Sequence, residues 1–348
     1  MTISKNRVQS PFGEIALFRI ENSKGAWVEL SSLGAGVVGV GVPDRNGKIE
    51  NVALAYADPA DYMADGPCLG KCPGRYANRI AKGHLEIDGK TYQLAINNGP
   101  NHLHGGPTGF QNRIWDAREI ENGVEFTYRS ADGEENYPGN LVAKATYRWS
   151  EDNRLTLDFD VTSDADTVVN LTNHSYWNLA GADSGSVLRH EMRMKASGWL
   201  PTDDTLVPTG ELAPVVDTPM DFTEFKELGR DIEADFPALK YGKGYDNCWA
   251  IDGWKPGLMS ENAVVIREPE SGRVLTVDSD QPGVQIYTGN WLSGSPLNNS
   301  GRSYEDYEGV AVEMQGFPDA PNKPGFPSQL VKAGEEYHRT ISFRFTVD

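Results

Sequence analysis

The sequence has few cysteines, and their scarcity excludes one class of fold. Only three occur among 348 residues: Cys68 and Cys72 lie four positions apart, and Cys248 is remote from both. So few thiols cannot form the disulfide framework of a small secreted domain. A zinc site built from thiolates usually needs four ligands in paired motifs. We therefore expect the three cysteines to be ordinary, half-buried small residues.

Long apolar runs and basic residues are also scarce. No apolar run approaches the roughly 20 residues that a membrane-spanning helix requires. The segment from Met1 to Glu14 contains no apolar stretch typical of an export signal. The 32 basic residues against 50 acidic ones give a net charge of -18, which argues against a nucleic acid or an anionic membrane as the main partner. These features predict a soluble, acidic, cytoplasmic protein.

Helical periodicity is nearly absent, whereas alternation of apolar and polar residues is common. Only Asp58–Tyr62 and Thr223–Leu228 are predicted to form a turn or two of helix. Apolar residues share one face along 154–162 and again along 341–347, as in half-buried strands. Residues 85–94 predict a hairpin, because Asp-Gly at 88–89 suits a type I′ turn. No linker, repeat or low-complexity tract divides residues 1–348. The prediction is one domain with an all-β fold, a large β-sandwich.

Three segments interrupt this alternation with dense polar residues and glycine, as loops that carry function often do. They are Gly74–Ile80 continuing to Asn101–Gly106, then Asn170–Leu179, and finally Val310–Pro321. His174 and His104 are candidates for general acid–base catalysis, because imidazole titrates near neutral pH. A hydrogen-bonded structural histidine is the alternative, equally weighted for His174 and favoured for His102. A metal site is not expected, since no third ligand completes a known pattern.

Two carboxylates in these regions are further candidates. Glu313 follows the apolar run Val310–Val312, and burial there would raise its pKa as a general base requires. Its alternative is an ion pair with an arginine such as Arg302. Asp246 lies between aromatic residues in a segment suited to a polyhydroxylated ring, since carboxylates accept hydrogen bonds from hydroxyls and aromatic faces stack on sugars. Its alternative is an ordinary turn residue.

Taken together and in order, these segments resemble the aldose 1-epimerases, the galactose mutarotase family, over nearly the whole chain. The matching motifs are Gly74-Arg75-x-Ala77-Asn78-Arg79-Ile80, Asp88-Gly89, Leu103-His104-Gly105-Gly106, Gly109-Phe110, Thr172-Asn173-His174-Ser175-Tyr176, Asn178-Leu179, Gly244-Tyr245-Asp246, Gln285 with Tyr287-Thr288-Gly289-Asn290, and Glu313-x-Gln315-x-Phe317-Pro318-Asp319-Ala320. The resemblance implies a single-domain β-sandwich of the galactose mutarotase type, the supersandwich. It also implies a monosaccharide substrate and no cofactor. We expect no metal ion, from the histidine spacing, and a monomer or homodimer.

The resemblance also implies residue roles. Glu313 corresponds to the general base that takes the proton of the anomeric hydroxyl, and His174 to the general acid that protonates the ring oxygen. His104 and Arg79 correspond to groups that hydrogen-bond the sugar near the reacting centre. Asn78 and Gln285 correspond to further sugar contacts, and Asp246 to the carboxylate that holds distal hydroxyls.

Local departures from the family pattern leave the preferred aldose open. Trp177 stands where Phe is usual, and Gly316 is smaller than usual, so both are expected to reshape the pocket. The segment Pro67–Pro73 also departs from the usual small and aromatic residues. Three alternatives remain: a sugar-binding protein without catalysis, a glycoside hydrolase that pairs Glu313 with Asp246, and an epimerase of a phosphorylated hexose. The last alternative would need clustered Arg or Lys residues to bind the phosphate, and the sequence shows no such cluster.

Overall fold

The computed structural model describes residues 1–348, and strands dominate it. They are β1 (Thr2–Ser10), β2 (Gly13–Glu21), β3 (Trp27–Ser31), β4 (Gly36–Pro43), β5 (Ile49–Asn51), β6 (Arg79–Ile80), β7 (His84–Ile87), β8 (Lys90–Gln93), β9 (His102–Leu103), β10 (Asp116–Ile120), β11 (Gly123–Ser130), β12 (Leu141–Trp149), β13 (Arg154–Ser163), β14 (Thr167–Val168), β15 (Tyr176–Trp177), β16 (Glu191–Met194), β17 (Gly198–Trp199), β18 (Ala213–Pro214), β19 (Lys226–Glu227), β20 (Asp246–Ala250), β21 (Ser260–Arg267), β22 (Arg273–Ser279), β23 (Gly283–Tyr287), β24 (Val310–Gln315), β25 (Leu330–Val331) and β26 (Glu336–Val347). The predicted all-β fold is confirmed.

Three sheets carry most of these strands. The first contains β1 to β5 in chain order. The second has nine strands in the order β10-β11-β12-β13-β26-β22-β21-β16-β19, and the third has six in the order β15-β24-β23-β20-β17-β18. Three two-stranded ladders, β14-β25, β6-β9 and β7-β8, complete the structure. All named strand pairs are antiparallel, as the alternating sequence pattern favours.

The alternation in the sequence decides which strand faces are buried. In β13, Leu155, Leu157 and Phe159 are inaccessible to solvent, whereas the polar residues between them are not. One continuous core joins this face to apolar residues of the other two large sheets. The predicted hairpin is β7-β8, and Asp88 and Gly89 both have positive φ, as a type I′ turn requires.

Helices are short. One α-helix, α1 (Pro237–Gly242), was not predicted, and 3₁₀ turns cover Pro59–Tyr62, Ala81–Gly83, Phe110–Asn112, Glu134–Asn136 and Ala320–Asn322. The turn predicted at Asp58–Tyr62 is confirmed, with the Asp58 carboxylate accepting from the Ala60 N–H at 2.8 Å. The helix predicted at Thr223–Leu228 is wrong, because β19 pairs there with β16 at the sheet edge. Ladder hydrogen bonds prevail since so short a helix has little stability of its own. None of these helices has the length and apolar character to cross a membrane.

Two sequence departures do not lie where they were expected. Trp177 is fully buried and packs against Phe343 and Phe345, with ring centroids 5.2 and 5.3 Å away. A Cβ on Gly316 would lie 2.3 Å from Cδ of Gln329, so this glycine allows a close approach of that side chain. Neither residue lines the cavity where the predicted site residues meet, so neither contributes directly to its surface. All three cysteines are buried and unpaired, which confirms that they form no disulfide, although they are more buried than expected.

We expect Trp177→Ala to lower the free energy of unfolding by about 3–5 kcal/mol, because it empties a large volume inside the core. Trp177→Phe should lower the free energy of unfolding by a smaller amount. The Trp177 indole N–H is buried without a hydrogen-bond partner, so its removal offsets part of the lost packing. Urea denaturation of both variants tests this. Equal losses for Ala and Phe would contradict the account.

Candidate active site

The predicted site residues meet at one cavity of about 590 Å³. Six of the seven line it: Asn78, Arg79, His104, His174, Asp246 and Glu313. The exception is Gln285, which is buried behind the cavity wall and contacts it through Asp246. Segments far apart in the sequence thus converge on one concave surface, the usual form of a small-molecule site.

Two strands of the six-stranded sheet, β24 and β20, supply the carboxylates, and β23 lies between them. Gln285 of β23 lies directly opposite Glu313 of β24, and Asp246 begins the neighbouring strand β20. Side chains alternate along a strand, so Val312 and Met314 enter the core while Glu313 points to the other face. Glu313 therefore lies inside a strand, not in the loop that follows it. Its sequence alternative, an ion pair with an arginine, is also excluded. The one ion-pair contact of Glu313 is with His174, and Arg302 pairs with Glu308 at 2.8 Å.

The ladder β6-β9 and the residues beside it supply Arg79, Asn78 and His104 to the cavity. The two-stranded ladder β6-β9 joins Arg79 to Leu103. Asn78 and His104 on either side adopt positive φ angles of 64° and 53°. The Asn78 backbone N–H donates to Nδ1 of His104 at 3.1 Å. In the neutral imidazole of His104, the proton is therefore on Nε2, which makes this nitrogen a hydrogen-bond donor.

His174 and Glu313 form the most deeply buried pair of the site. Nε2 of His174 lies 3.4 Å from Oε1 of Glu313, and their side chains are 6% and 2% exposed. Burial lowers the pKa of His174 to about 4. Burial also raises the pKa of Glu313 well above its usual value, with a further contribution from the Asp246 carboxylate. Both shifts favour a neutral imidazole beside a neutral carboxyl group in the empty site.

A charged pair stands at the cavity wall. The Arg79 guanidinium lies 3.7 Å from Oδ2 of Asp246, and their side chains retain 10% and 15% exposure. Gln285 donates to Oδ1 of the same carboxylate at 2.6 Å, and Arg79 Nε donates to Oδ1 of Asn98 at 3.1 Å. Fixed donors and acceptors of this kind suit vicinal hydroxyl groups, which both donate and accept hydrogen bonds.

Three of these residues could in principle hold a metal ion. One donor atom each from His104, His174 and Glu313 lie within 4.8 Å of one another. The positive charges of Arg79 and Lys71 oppose a cation there, since Arg79 acts on Glu313 and His104, and Lys71 acts on both imidazoles. The set therefore fits a metal ion poorly.

Other residues of the cavity were not predicted from the sequence. Tyr176 and Tyr287 line it, each two positions after a predicted site residue, so strand periodicity could have indicated Tyr287 from Gln285. Trp291, 64% exposed, lies at the cavity without a comparable signal. His102 is structural, as favoured: its ring nitrogens contact the Ala95 carbonyl and the Tyr137 hydroxyl, both at 2.7 Å.

Comparison with known proteins identifies the family. The family model described as aldose 1-epimerase matches residues 16–344. The chain belongs to the aldose 1-epimerase family. It is 40% identical over 335 residues to the galactose mutarotase of Sus scrofa, with 96% of this chain and 95% of that protein covered. It is 42% identical over 320 residues to the galactose mutarotase of Homo sapiens, with 92% and 91% covered.

A solved structure supports the same assignment. The aldose epimerase homologue from C. elegans has a TM-score of 0.87 at 29% identity, and the alignment covers 99% of both chains. Membership of the aldose 1-epimerase family makes the chain an enzyme, a carbohydrate isomerase with a small sugar as substrate. The resemblance drawn from the sequence motifs is confirmed.

The burial of His174 predicts its titration. We expect its imidazole to remain neutral as the pH falls through 6.5, the usual histidine value, and to gain a proton only near pH 4. Proton NMR of the ring C–H signals measures this, with His174→Asn to assign the resonance. A midpoint near 6.5 in the folded protein would contradict the proposed effect of burial.

Proposed function

We propose that the enzyme interconverts the α and β anomers of a free aldohexose, with galactose as the first candidate and glucose as the second. The observation that carries this proposal is the buried contact between His174 and Glu313 at 3.4 Å, in a cavity whose wall offers charged partners for hydroxyl groups. The names of the relatives, galactose mutarotases, favour galactose.

The reaction needs one group that accepts a proton and one that donates a proton at opposite ends of a single bond. In the sugar complex, the shared proton first passes from Glu313 to His174 across their 3.4 Å contact. Glu313, then a carboxylate, takes the proton from the C1 hydroxyl, and the electron pair left on O1 forms the C1=O1 double bond. The C1–O5 bond breaks toward O5, which takes a proton from His174 as imidazolium. Rotation about C1–C2 turns the other aldehyde face to O5. Closure then reverses both proton transfers and yields the other anomer.

Burial of the pair favours one proton arrangement. After ring opening, Glu313 is a neutral carboxyl group and His174 a neutral imidazole, so the open-chain sugar is accompanied by two uncharged catalytic groups. The raised pKa of Glu313 and the lowered pKa of His174, both caused by burial, favour this same arrangement. The pair shares one proton throughout, so it titrates as a unit. The site thereby supports the otherwise unfavourable open-chain state.

The remaining residues orient the sugar. His104 donates from Nε2, and Arg79 from its guanidinium, to oxygens near the reacting carbon. Asp246 accepts from the distal hydroxyls, and Gln285 fixes that carboxylate through its 2.6 Å hydrogen bond. Asn78 contributes its side-chain amide and sets the tautomer of His104 through its backbone N–H. Correct orientation of a bound reactant supplies a large share of the rate.

We further propose that the enzyme acts in the cytoplasm, as one domain spanning residues 1–348 and as a monomer or homodimer. The sequence composition supports the location, and family resemblance supports the assembly. Fractionation and light scattering test these two points.

Polarimetry on freshly dissolved α-D-galactose and α-D-glucose tests the activity. We expect a faster approach to the same final rotation in the presence of enzyme. Release of free sugar from an aryl glycoside would favour a hydrolase instead. Binding of a sugar without any acceleration would favour a non-catalytic sugar-binding protein.

Glu313→Gln should reduce the mutarotation rate about 10²–10⁴-fold, the range typical of general acid–base catalysis. Sugar binding by calorimetry should change little, because a neutral amide replaces a carboxyl group that is itself neutral in the empty site. Glu308→Gln is the matched control, a buried carboxylate outside the cavity that pairs with Arg302. Near-normal turnover in Glu313→Gln would remove Glu313 from its role.

Asp246→Ala should raise KM about tenfold or more and lower kcat less, since a charged hydrogen bond contributes ~1.5–3 kcal/mol. Asp246→Asn keeps an acceptor oxygen but loses the charge. Its KM should therefore lie between those of the wild type and Asp246→Ala. The Asp246 carboxylate helps to raise the pKa of Glu313, so the basic limb of the pH–rate profile should move to lower pH in both variants. Loss of kcat with unchanged KM would contradict the assignment.

A further inference from the structure

A second buried charged pair lies beside the catalytic cavity without lining it. The Lys71 ammonium contacts Oδ1 of Asp65, and the two side chains are 1% and 0% exposed. Both residues flank the segment Gly66–Gly70, whose first two residues do line the cavity. A buried ion pair is weak evidence for a stabilising role, because desolvation of both charges offsets their attraction.

The pair closes the segment 65–71 into a rigid loop. Oδ2 of Asp65 accepts from the Leu69 N–H at 2.9 Å and from the Tyr56 hydroxyl at 3.1 Å. The Lys71 ammonium donates to the Tyr62 carbonyl and, at 3.2 Å, to Oδ1 of Asn112. Each charge thus has fixed partners at one end of the loop, and removal of either charge would free that end.

This loop holds the backbone of the catalytic histidine. The His174 N–H donates to the Lys71 carbonyl at 2.8 Å, and the Gly70 N–H donates to the His174 carbonyl at 2.9 Å. The neighbouring Asn173 amide donates to the Gly70 carbonyl at 2.8 Å. His174 lies outside every strand, since β15 begins only at Tyr176. Its backbone position therefore depends on these contacts instead of a sheet ladder.

The charge of Lys71 also reaches the imidazole. After burial, the Lys71 ammonium further lowers the pKa of His174, and it contributes in the same sense at His104. The other titratable groups around the His174 ring are Glu313 on β24, His104, Tyr176 and Tyr287. Lys71 thus acts on His174 by two routes. Its backbone carbonyl accepts a hydrogen bond from the His174 N–H, and its ammonium charge lowers the pKa of the imidazole.

We propose that the buried Asp65–Lys71 ion pair positions His174 for proton transfer and sets the charge that its imidazole faces. Asp65 and Lys71 are positioning residues, because neither touches the cavity. The effect on turnover rests on the proposed role of His174 as general acid. The effect on the titration of His174 does not.

The double variant D65N/K71M tests the proposal, because it replaces both charges with neutral side chains of similar size and leaves no unpaired buried charge. We expect kcat to fall between about tenfold and a hundredfold, as for a small misplacement of a catalytic group. KM should change little, since Arg79 and Asp246 are untouched. The NMR titration of His174 and the acid limb of the pH–rate profile should both move to higher pH.

A control variant removes a partly buried ion pair elsewhere, in which the Asp231 side chain is 29% exposed. Lys226 and Asp231 interact at 2.9 Å, and the Lys226 side chain is 6% exposed, but neither residue lines the catalytic cavity. K226M/D231N should therefore change stability while leaving kcat and the His174 titration as in the wild type. A merely structural role for Asp65–Lys71 would make the two double variants behave alike.

The conservative variant K71R separates the geometric effect of Lys71 from its electrostatic effect. It also provides a test if D65N/K71M does not fold. K71R keeps the positive charge but changes the hydrogen-bond geometry. The His174 titration should therefore stay low in K71R even where kcat falls. Wild-type kcat and an unshifted His174 titration in folded D65N/K71M would overturn the proposal, as would a K71R titration shifted to higher pH. If the wild type shows no mutarotation, the NMR comparison still decides whether the pair acts on His174.

Discussion

The proposed chemistry depends most on one contact, the 3.4 Å approach of His174 and Glu313 inside a cavity that excludes most solvent from both. A carboxylate and an imidazolium taken out of water lose hydration, so burial favours their uncharged forms. In the proposed reaction, ring opening of the sugar by paired proton transfer leaves the two groups uncharged. Burial makes the carboxylate–imidazolium form of the pair costly. The same burial therefore favours the uncharged form that accompanies the open-chain sugar.

The two halves of this contact are supported differently. Glu313 lies in a six-stranded sheet, where ladder pairing with Gln285 and alternation with core residues fix its direction. His174 lies in the irregular segment 170–175, buried throughout. Buried backbone groups need hydrogen-bond partners, and here they are found in neighbouring loops: Asn170 donates to the Arg75 carbonyl, and His174 to that of Lys71. Buried amides, such as those of Asn170 and Asn173, add further hydrogen bonds.

The sequence predicted the strand-borne features well, because alternation directly encodes which face of a sheet is buried. The alternating strand β13 and the hairpin at Asp88-Gly89 follow from such local patterns. The direction of Glu313 was not predicted, because the continuous apolar run before it hides the alternation of β24 that the structure shows. Motif resemblance, not periodicity, brought His104 and Asn78 to the same site. The helix prediction at Thr223–Leu228 is wrong, because sheet pairing overrides local helix propensity there. The direction of the Trp177 side chain depends on packing against β26, which the sequence does not reveal. Nothing local to Asp65 or Lys71 indicates that their side chains meet.

This division explains why a loop beside the site can matter as much as the residues within it. A strand residue has its direction fixed by a ladder that extends over the whole sheet, so the loss of one neighbouring contact changes it little. A residue such as His174, whose backbone has only a few specific partners, depends on each of them. Proton transfer over short distances tolerates little displacement. In the proposed catalytic pair, His174 is therefore where a substitution outside the cavity should have its largest effect on turnover. The charged loop 65–71 contacts its backbone directly, through Lys71 and Gly70.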